Sequence, residues 1–349
     1  MIRLGIIGTG SMADVHAEAF DQIEGVQCTA CCDLDLERAS LFAKKFKIPN
    51  VYSDSSELIN DDKIDAVSIV TSDRSHSPIA LEALSKRLHV FCEKPLATSV
   101  ADADRMVNAA HEAGVIHMVN FSYRRSSALL AAKEMVESGE IGRLLHVEAH
   151  YLQSWLVSKA WGDWREDDTW LWRLSTNHGS GGVLGDIGVH MLDLVTYCAG
   201  NVDWLRCDLR TFNKAQGNQI GEYELDANDS AVLTLSFQNG ALGTLSMSRW
   251  ATGHLNSIGV SLHGDKGAIR IDLDRSYETL ECCIGEDVDE AIWRATEFEP
   301  APSNFERFVH SIQTGVPEEP GFDRGAYVQK LLDSAHRSDA KKEPIQLNS

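Results

Sequence analysis

A glycine turn near the start of the chain limits the fold more than any other feature. A short apolar run, residues 3–7, leads straight into Gly8-Thr9-Gly10-Ser11-Met12-Ala13, a GxGxxA that opens an amphipathic helical pattern. Strand, turn and helix in that order have a physical meaning. Gly8 permits the tight turn out of the strand, Gly10 lets a pyrophosphate approach the backbone, and Ala13 is small enough for the helix to pack on the sheet. The helix N-terminus then faces the phosphates with N–H groups that have no partner within the helix. Thr9, Ser11 and Met12 complete the turn and are candidates for touching a dinucleotide. Asp33 ends the next apolar run, about 20 residues beyond the glycines, where a carboxylate accepts hydrogen bonds from the adenosine ribose and repels a 2′-phosphate. NAD is therefore the expected cofactor. Arg38 is close enough to meet a phosphate, which keeps NADP as the lesser alternative.

The rest of the first 120 residues alternates short apolar runs (26–32, 66–70, 89–92, 117–120) with helical patterns such as 36–46 and 101–113. That alternation predicts a parallel βαβ sheet. Ser99 and Asp102 form a capping-box pattern, and Gly114 is a C-terminal stop. From residue 144 onward the texture changes to longer strand-like runs, 144–152, 204–212, 230–237, 243–250 and 257–263. Leu233, Leu235 and Phe237 alternate as one face of a largely antiparallel sheet, and Asn239-Gly240 is a hairpin turn. The expected organisation is an α/β domain over 1–122 and an α+β domain with an open sheet over 123–349, with the active site in the cleft between them. An open sheet with helices on one face leaves the other to be covered. A homodimer or homotetramer through that sheet is the expected solution.

Composition narrows the partners. The 349 residues carry a formal charge of −20, which repels phosphate backbones and anionic membranes, so neither nucleic acid nor a membrane is an expected partner. A dinucleotide needs positive potential locally, expected at Lys94, Arg124 and the helix after Gly10, so the acidic surplus belongs on the solvent face. The eight cysteines show no zinc-finger spacing and lie largely in apolar runs, which points to buried, reduced thiols. The N-terminal apolar run is too short for a signal peptide, and no apolar stretch is long enough to span a bilayer. A cytoplasmic protein is expected, without a metal.

Thr71-Ser72-Asp73-Arg74-Ser75-His76, Glu93-Lys94-Pro95, residues 120–125 and residues 181–193 together resemble the Gfo/Idh/MocA family of NAD(P)-dependent sugar and polyol dehydrogenases. Thr71-Ser72-Asp73-Arg74-Ser75-His76 is similar to the family's T-P-x-x-x-H loop, with Ser72 in place of the usual proline. Glu93-Lys94-Pro95 matches its E-K-P. Asn120-Phe121-Ser122-Tyr123-Arg124-Arg125 is close to its F-x-x-R segment, with Arg125 where an aromatic is common and Ser127 where a proline is. Residues 181–193, GGVLGDIGVHMLD, look like its G-G-x-L-x-D-x-G-x-H-x-x-D, preceded by a matching Trp172-Arg173. The resemblance spans essentially the whole chain. It implies an N-terminal Rossmann domain and cofactor contacts at Thr71, Ser72, His76, Glu93, Lys94 and Asn120. It further implies a catalytic set of Lys94, Asp186 and His190, with Tyr123 beside the substrate.

The residues support chemistry of their own. Asp186, His190 and Asp193 fall at i, i+4 and i+7, one face of a helix. Oxidising an alcohol requires a base for the hydroxyl proton, and a carboxylate one turn away fixes an imidazole for that task. His190 is the expected base, Asp186 its partner, and Asp193 a supporting or structural acid. As metal ligands, Asp186 and His190 lack a third member at short spacing. Lys94 ends a buried parallel strand and can steady a developing alkoxide. Five of the eight tryptophans (Trp155, Trp161, Trp164, Trp170 and Trp172) are interleaved with Arg165, Glu166, Asp167, Asp168 and Arg173. Such a stretch suits a sugar or an interface. Trp172, Arg173 and His178 are the candidates for touching substrate.

The expected function is hydride transfer between a secondary alcohol of a cyclic polyol or sugar and NAD. Two rivals stay open. One is a glycoside hydrolase that oxidises and re-reduces its sugar; the other is a non-catalytic NAD- or sugar-sensing regulator.

Overall fold

The first strand, β1 (Ile2–Ile7), runs into α1 (Ser11–Asp21), and the pattern repeats through β2 (Val26–Cys32), α2 (Leu36–Phe46), β3 (Asn50–Tyr52) and α3 (Ser55–Ile59). It continues as β4 (Ala66–Ile69), α4 (Asp73–Ser85), β5 (His89–Cys92), α5 (Val100–Ala113) and β6 (His117–Val119). The six strands form one sheet in the order β3-β2-β1-β4-β5-β6, with every pair parallel. Strand order reverses between β1 and β4, the position at which ligands sit in doubly wound sheets. Every residue of β4 is buried, as expected of a strand covered on both faces. Polar side chains start the helices: Asp35 caps the N-terminus of α2, Asp54 that of α3 and Ser99 that of α5, which ends at Gly114 in the left-handed conformation.

The computed structural model describes residues 1–347, and of Asp168 and Thr169 the backbone alone. The chain divides into two compact units, one of Met1–Ser122 with Pro302–Lys330, the other of Tyr123–Ala301 with the residues from Leu331 on. The expected division at 1–122 and 123–349 therefore misses a return of the chain. Helix Asn304–Thr314 brings Phe305 and Phe308 onto Phe20 and Phe91, with ring centroids 5.0–5.3 Å apart for Phe91–Phe305, Phe20–Phe305 and Phe91–Phe308. Phe308 and Val309 belong to the same buried core as Leu4, Ala66 and Met118. Burial of this apolar face draws the helix back to the parallel sheet.

The second unit opens with α6 (Ser127–Ser138) and β7 (Leu144–Gln153), followed by the short α7 (Asp168–Leu171) and by α8 (Val189–Ala199). Then come β8 (Val202–Arg210), the small hairpin β9 (Gln219–Ile220) and β10 (Tyr223–Glu224), β11 (Ser230–Phe237), β12 (Leu242–Ser248), β13 (Asn256–Gly264), β14 (Gly267–Asp272) and β15 (Thr279–Ile284). The unit ends with α9 (Asp287–Glu290), β16 (Arg294–Glu297) and β17 (Ile345–Gln346). The large sheet has nine strands in the order β16-β15-β14-β13-β7-β12-β11-β8-β17. The β7–β12 pair is parallel and all its other pairs are antiparallel. Asn239-Gly240 makes the β11–β12 turn, with Gly240 at φ 90°. Ala231, Leu233, Leu235 and Phe237 are buried, whereas Val232 and Leu242 are 57% and 50% exposed. Among the described residues no helix is long and apolar enough to cross a membrane.

Candidate active site

In the first unit the glycine turn has the geometry its sequence predicts. Gly8 sits at φ 93°, and a Cβ there would lie 2.7 Å from the Val70 carbonyl oxygen. A Cβ at Gly10 would meet nothing within 4 Å, so the surface over the start of α1 is open. Gly10 is the N-cap of α1 and supplies no side chain to its N–H groups. A phosphate fits that end. The Thr71 hydroxyl is a buried polar atom without a partner among the described residues. Met12, 46% exposed, stands on the first turn of α1 beside Ser11.

Asp33 is held in place before any ligand arrives. Thr9 donates to its Oδ2 from both N–H (2.8 Å) and hydroxyl (2.9 Å). Arg38 donates to both carboxylate oxygens, at 3.1 and 2.6 Å. Burial alone would raise the Asp33 pKa; hydrogen bonds from Arg38, Asp35 and Thr9 outweigh it and bring the value down to about 2. Ser72 is the N-cap of α4, with its hydroxyl 3.3 Å from that of Ser75.

Three residues assigned to the cofactor by resemblance are committed internally. His76 is fully buried, with Nδ1 2.8 Å from the Pro95 carbonyl and Nε2 3.1 Å from the Thr71 carbonyl. Glu93 accepts from Asn120 (2.7 Å) and faces His16 Nε2 (2.9 Å). Asn120 in turn accepts from Asn304 (3.3 Å). These side chains shape the loops after β4 and β5, and both nitrogens of the His76 ring face backbone carbonyls, only one of which a neutral ring can serve as donor. Lys94 follows Glu93 at the C-terminal end of β5.

In the second unit the glycine-rich segment is a π-helical turn, Leu184–Gly188, leading into α8. Gly182 at φ 66° leaves room for Asn228, whose amide nitrogen would lie 2.4 Å from a Cβ there. The Asn228 carbonyl accepts from Val183 N–H (2.8 Å) and its side chain from Leu184 N–H (3.1 Å), which pins the turn. Asp186 on this turn faces two guanidiniums, Arg249 at 3.0 Å and Arg173 at 3.4 Å. Asp193 instead forms a buried bidentate pair with Arg124, at 2.6 and 2.7 Å. The spacing of Asp186, His190 and Asp193 therefore runs through a π turn into α8 and not along one unbroken α-helix. The positive potential expected at Arg124 is also absent, since that charge is spent on Asp193 within the core.

His190, on the first turn of α8, is almost buried, and the Tyr123 ring meets it edge-on at 4.8 Å. The Tyr123 hydroxyl lies 2.7 Å from that of Tyr151. Of the five clustered tryptophans, Trp155 and Trp164 are buried in a local core with Leu156, Leu171, Leu174 and Leu225, and Trp161 and Trp170 pack against it. Trp172 is the exposed one, at 40%, with the Arg173 guanidinium 4.7 Å from its ring. His178 lies on the Tyr223 ring at 4.4 Å, its Nδ1 2.9 Å from the Ser175 hydroxyl. Of Asp168, only the backbone lies within the described structure.

Sequence reasoning missed Arg249. A signal existed: Leu245, Met247 and Arg249 share the inward parity of β12 and its continuation, and a charge at an inward position needs a buried partner. His111, His117 and Asp323 bring potential metal ligands within 4.8 Å of one another. His117 Nδ1 already accepts the Phe322 N–H (3.0 Å), which leaves the proton of the neutral ring on Nε2.

A parallel sheet with an open glycine turn at its switch point, joined in one chain to a mixed, largely antiparallel sheet, is the architecture of an NAD-binding oxidoreductase. The profile of the oxidoreductase family with an NAD-binding Rossmann fold matches residues 2–121, and that of the GFO/IDH/MocA C-terminal domain matches residues 129–270. The levoglucosan dehydrogenase of Pseudarthrobacter phenanthrenivorans is 28% identical over 385 residues, covering 98% of this chain and 97% of the relative. The D-glucoside 3-dehydrogenase of Escherichia coli is 30% identical over 351 residues, covering 97% and 95%. A solved levoglucosan dehydrogenase in complex with NADH and levoglucosan superposes with a TM-score of 0.88 at 26% identity, covering 100% of both chains. The chain belongs to the Gfo/Idh/MocA family of oxidoreductases.

Proposed function

We propose that this protein oxidises a secondary alcohol of a cyclic sugar or polyol, and that Lys94, Asp186 and His190 carry the reaction. The observation that bears most weight is the setting of Asp186 on the π turn and His190 on the first turn of α8 that follows it. Asp186, salt-bridged to Arg249 and Arg173, offers a carboxylate that can stabilise an imidazolium close by in sequence. His190 accepts the substrate hydroxyl proton, and the Lys94 ammonium steadies the oxygen as negative charge develops on it. When bound, NAD supplies the acceptor for the hydride.

Gly8, Thr9, Gly10, Ser11 and Met12 hold the pyrophosphate, with Asp33 and Arg38 at the adenosine ribose and Thr71 and Ser72 at the loop after β4. Asp33 supports NAD over NADP, since a 2′-phosphate would meet its charge. Tyr123, Trp172, Arg173 and His178 line the substrate, with Trp172 offering an exposed face to the C–H side of a pyranose ring. The relatives named above support an uncharged ring substrate of the levoglucosan or glucoside kind. The half of the large sheet marked by exposed Val232 and Leu242 supports a homodimer or homotetramer through that face. The eight free thiols support a reducing, cytoplasmic setting.

The test is steady-state turnover of His190→Ala against a panel of cyclic sugars and cyclitols. A loss of about 10²-fold or more is expected of a general base. Near wild-type turnover would overturn the assignment.

A further inference from the structure

A buried polar network of the first unit lies under the Lys94 loop. His16, on α1, is fully buried. Its Nε2 lies 2.9 Å from Glu93 Oε1 and its Nδ1 2.8 Å from the Ser68 hydroxyl on β4. Phe91 and Phe305 meet the ring edge-on, at 5.6 and 4.9 Å, so it cannot swing away. Asn120 donates to the same Glu93 oxygen, and Asn304 donates to Asn120 Oδ1, which fixes the direction of the Asn120 amide. The other carboxylate oxygen, Oε2, accepts the backbone N–H of Lys94 at 3.2 Å. A carboxylate can only accept, so His16 Nε2–H is the donor in its pair.

We propose that His16 is a positioning residue for Lys94, acting from the dinucleotide-facing helix through the Glu93 carboxylate. The inference rests on the reading of Lys94 as catalytic. Buried carboxylates tend to take up a proton, and a protonated Glu93 would give the Lys94 N–H a weaker acceptor. Two side-chain donors on Oε1 hold the charge in place, and Oε2 is thereby fixed as the anchor for the Lys94 backbone. The groups around Glu93 are few. His16 and Lys94 favour its charge, Cys92 beside it is a thiol kept neutral by burial, and Asp73 at the start of α4 acts on Cys92. Ser68, Asn120 and Asn304 are uncharged. Burial works to raise the Glu93 pKa, yet His16, Lys94 and Asn120 together bring it down to about 2.

The experiment compares His16→Phe, His16→Gln and Lys94→Met in the full-length protein, with melting temperature and NAD affinity measured for each. In His16→Phe, NAD binding stays near wild type and kcat falls about 10- to 100-fold, as for a small misplacement of a reacting group. Its pH profile gains an acidic limb that wild type lacks, and the carbon-13 carboxyl signal of Glu93, assigned with Glu93→Gln, titrates at higher pH. His16→Gln, whose amide nitrogen can replace Nε2, restores most of kcat and removes the limb. Where His16→Phe fails to fold, Asn304→Leu loosens Glu93 from the opposite side and is expected to raise the same carboxyl titration. Wild-type kcat and an unmoved Glu93 titration in the folded variants overturn the proposal, as does a His16→Gln no better than Phe. Turnover retained by Lys94→Met overturns the underlying catalytic reading instead.

Discussion

The Arg249 guanidinium, fully buried, reaches Asp186 at 3.0 Å and at the same time donates to the backbone carbonyls of Arg173 (3.0 Å) and Gly182 (3.4 Å). One side chain thus ties the end of β12 to the π turn that carries Asp186 and to the segment that carries Arg173. Lysine has neither the planar fork nor the donors to make all three contacts. Arg249→Lys is expected to lower stability by about 1–3 kcal/mol and kcat/KM by about 10-fold or more. Urea unfolding and steady-state kinetics check the two parts, and unchanged kinetics would separate Arg249 from the site.

The Arg124–Asp193 pair has a different purpose. Both side chains are buried, and the Tyr197 ring lies 3.5 Å from the guanidinium carbon. Removing one partner strands a buried charge, so Asp193→Leu is expected to cost about 3–5 kcal/mol. Replacing both by apolar residues should recover much of that loss, a result readable from melting temperatures of the single and double variants.

Acid stability follows from Asp33 and Glu93. Their ordinary values are 3.8 and 4.5, and each is held down to about 2 in the folded chain, against the opposing effect of burial. A folded-state pKa below the unfolded one gives stability that is full above the ordinary value and lost as pH falls toward 2. Melting temperature should therefore drop between about pH 5 and pH 2. Asp33→Asn and Glu93→Gln should each be less stable at neutral pH and show a flatter decline across that window.

Thiol chemistry offers a simple check on the core. Burial pushes Cys28, Cys32 and Cys207 up to about 12 and Cys31 to about 11. A thiol with so little thiolate reacts slowly. Ellman's reagent should label the native protein sluggishly and all eight cysteines once it is unfolded. Prompt labelling of several thiols in the native protein would contradict the packing of β2 and β8.

Local chemistry made much of the fold legible. The turn at Gly8 and Gly10, the caps at Ser99 and Gly114, the alternation of Leu233, Leu235 and Phe237, and the Asn239-Gly240 hairpin each act over a few residues. The return of Asn304 and Phe305 to the parallel sheet leaves no such trace, because it depends on apolar partners nearly 300 residues away in sequence, such as Phe20. The π turn was hidden for a related reason. Spacing at i, i+4 and i+7 presumes an unbroken α-helix, whereas Asn228 pins a wider turn at Asp186. Resemblance located Glu93, His76 and Asn120 but could not tell a ligand contact from an internal hydrogen bond.

The proposed chemistry is a net oxidation of a ring alcohol, with the hydride left on the cofactor. The most direct measurement is the stoichiometry of NADH formed, followed at the reduced-nicotinamide absorbance, against carbonyl product and released sugar for an accepted cyclic substrate. One NADH per carbonyl formed, with no sugar released from a glycoside, is the predicted result. Sugar release without accumulation of NADH would contradict it, as would binding of NAD and sugar with no turnover.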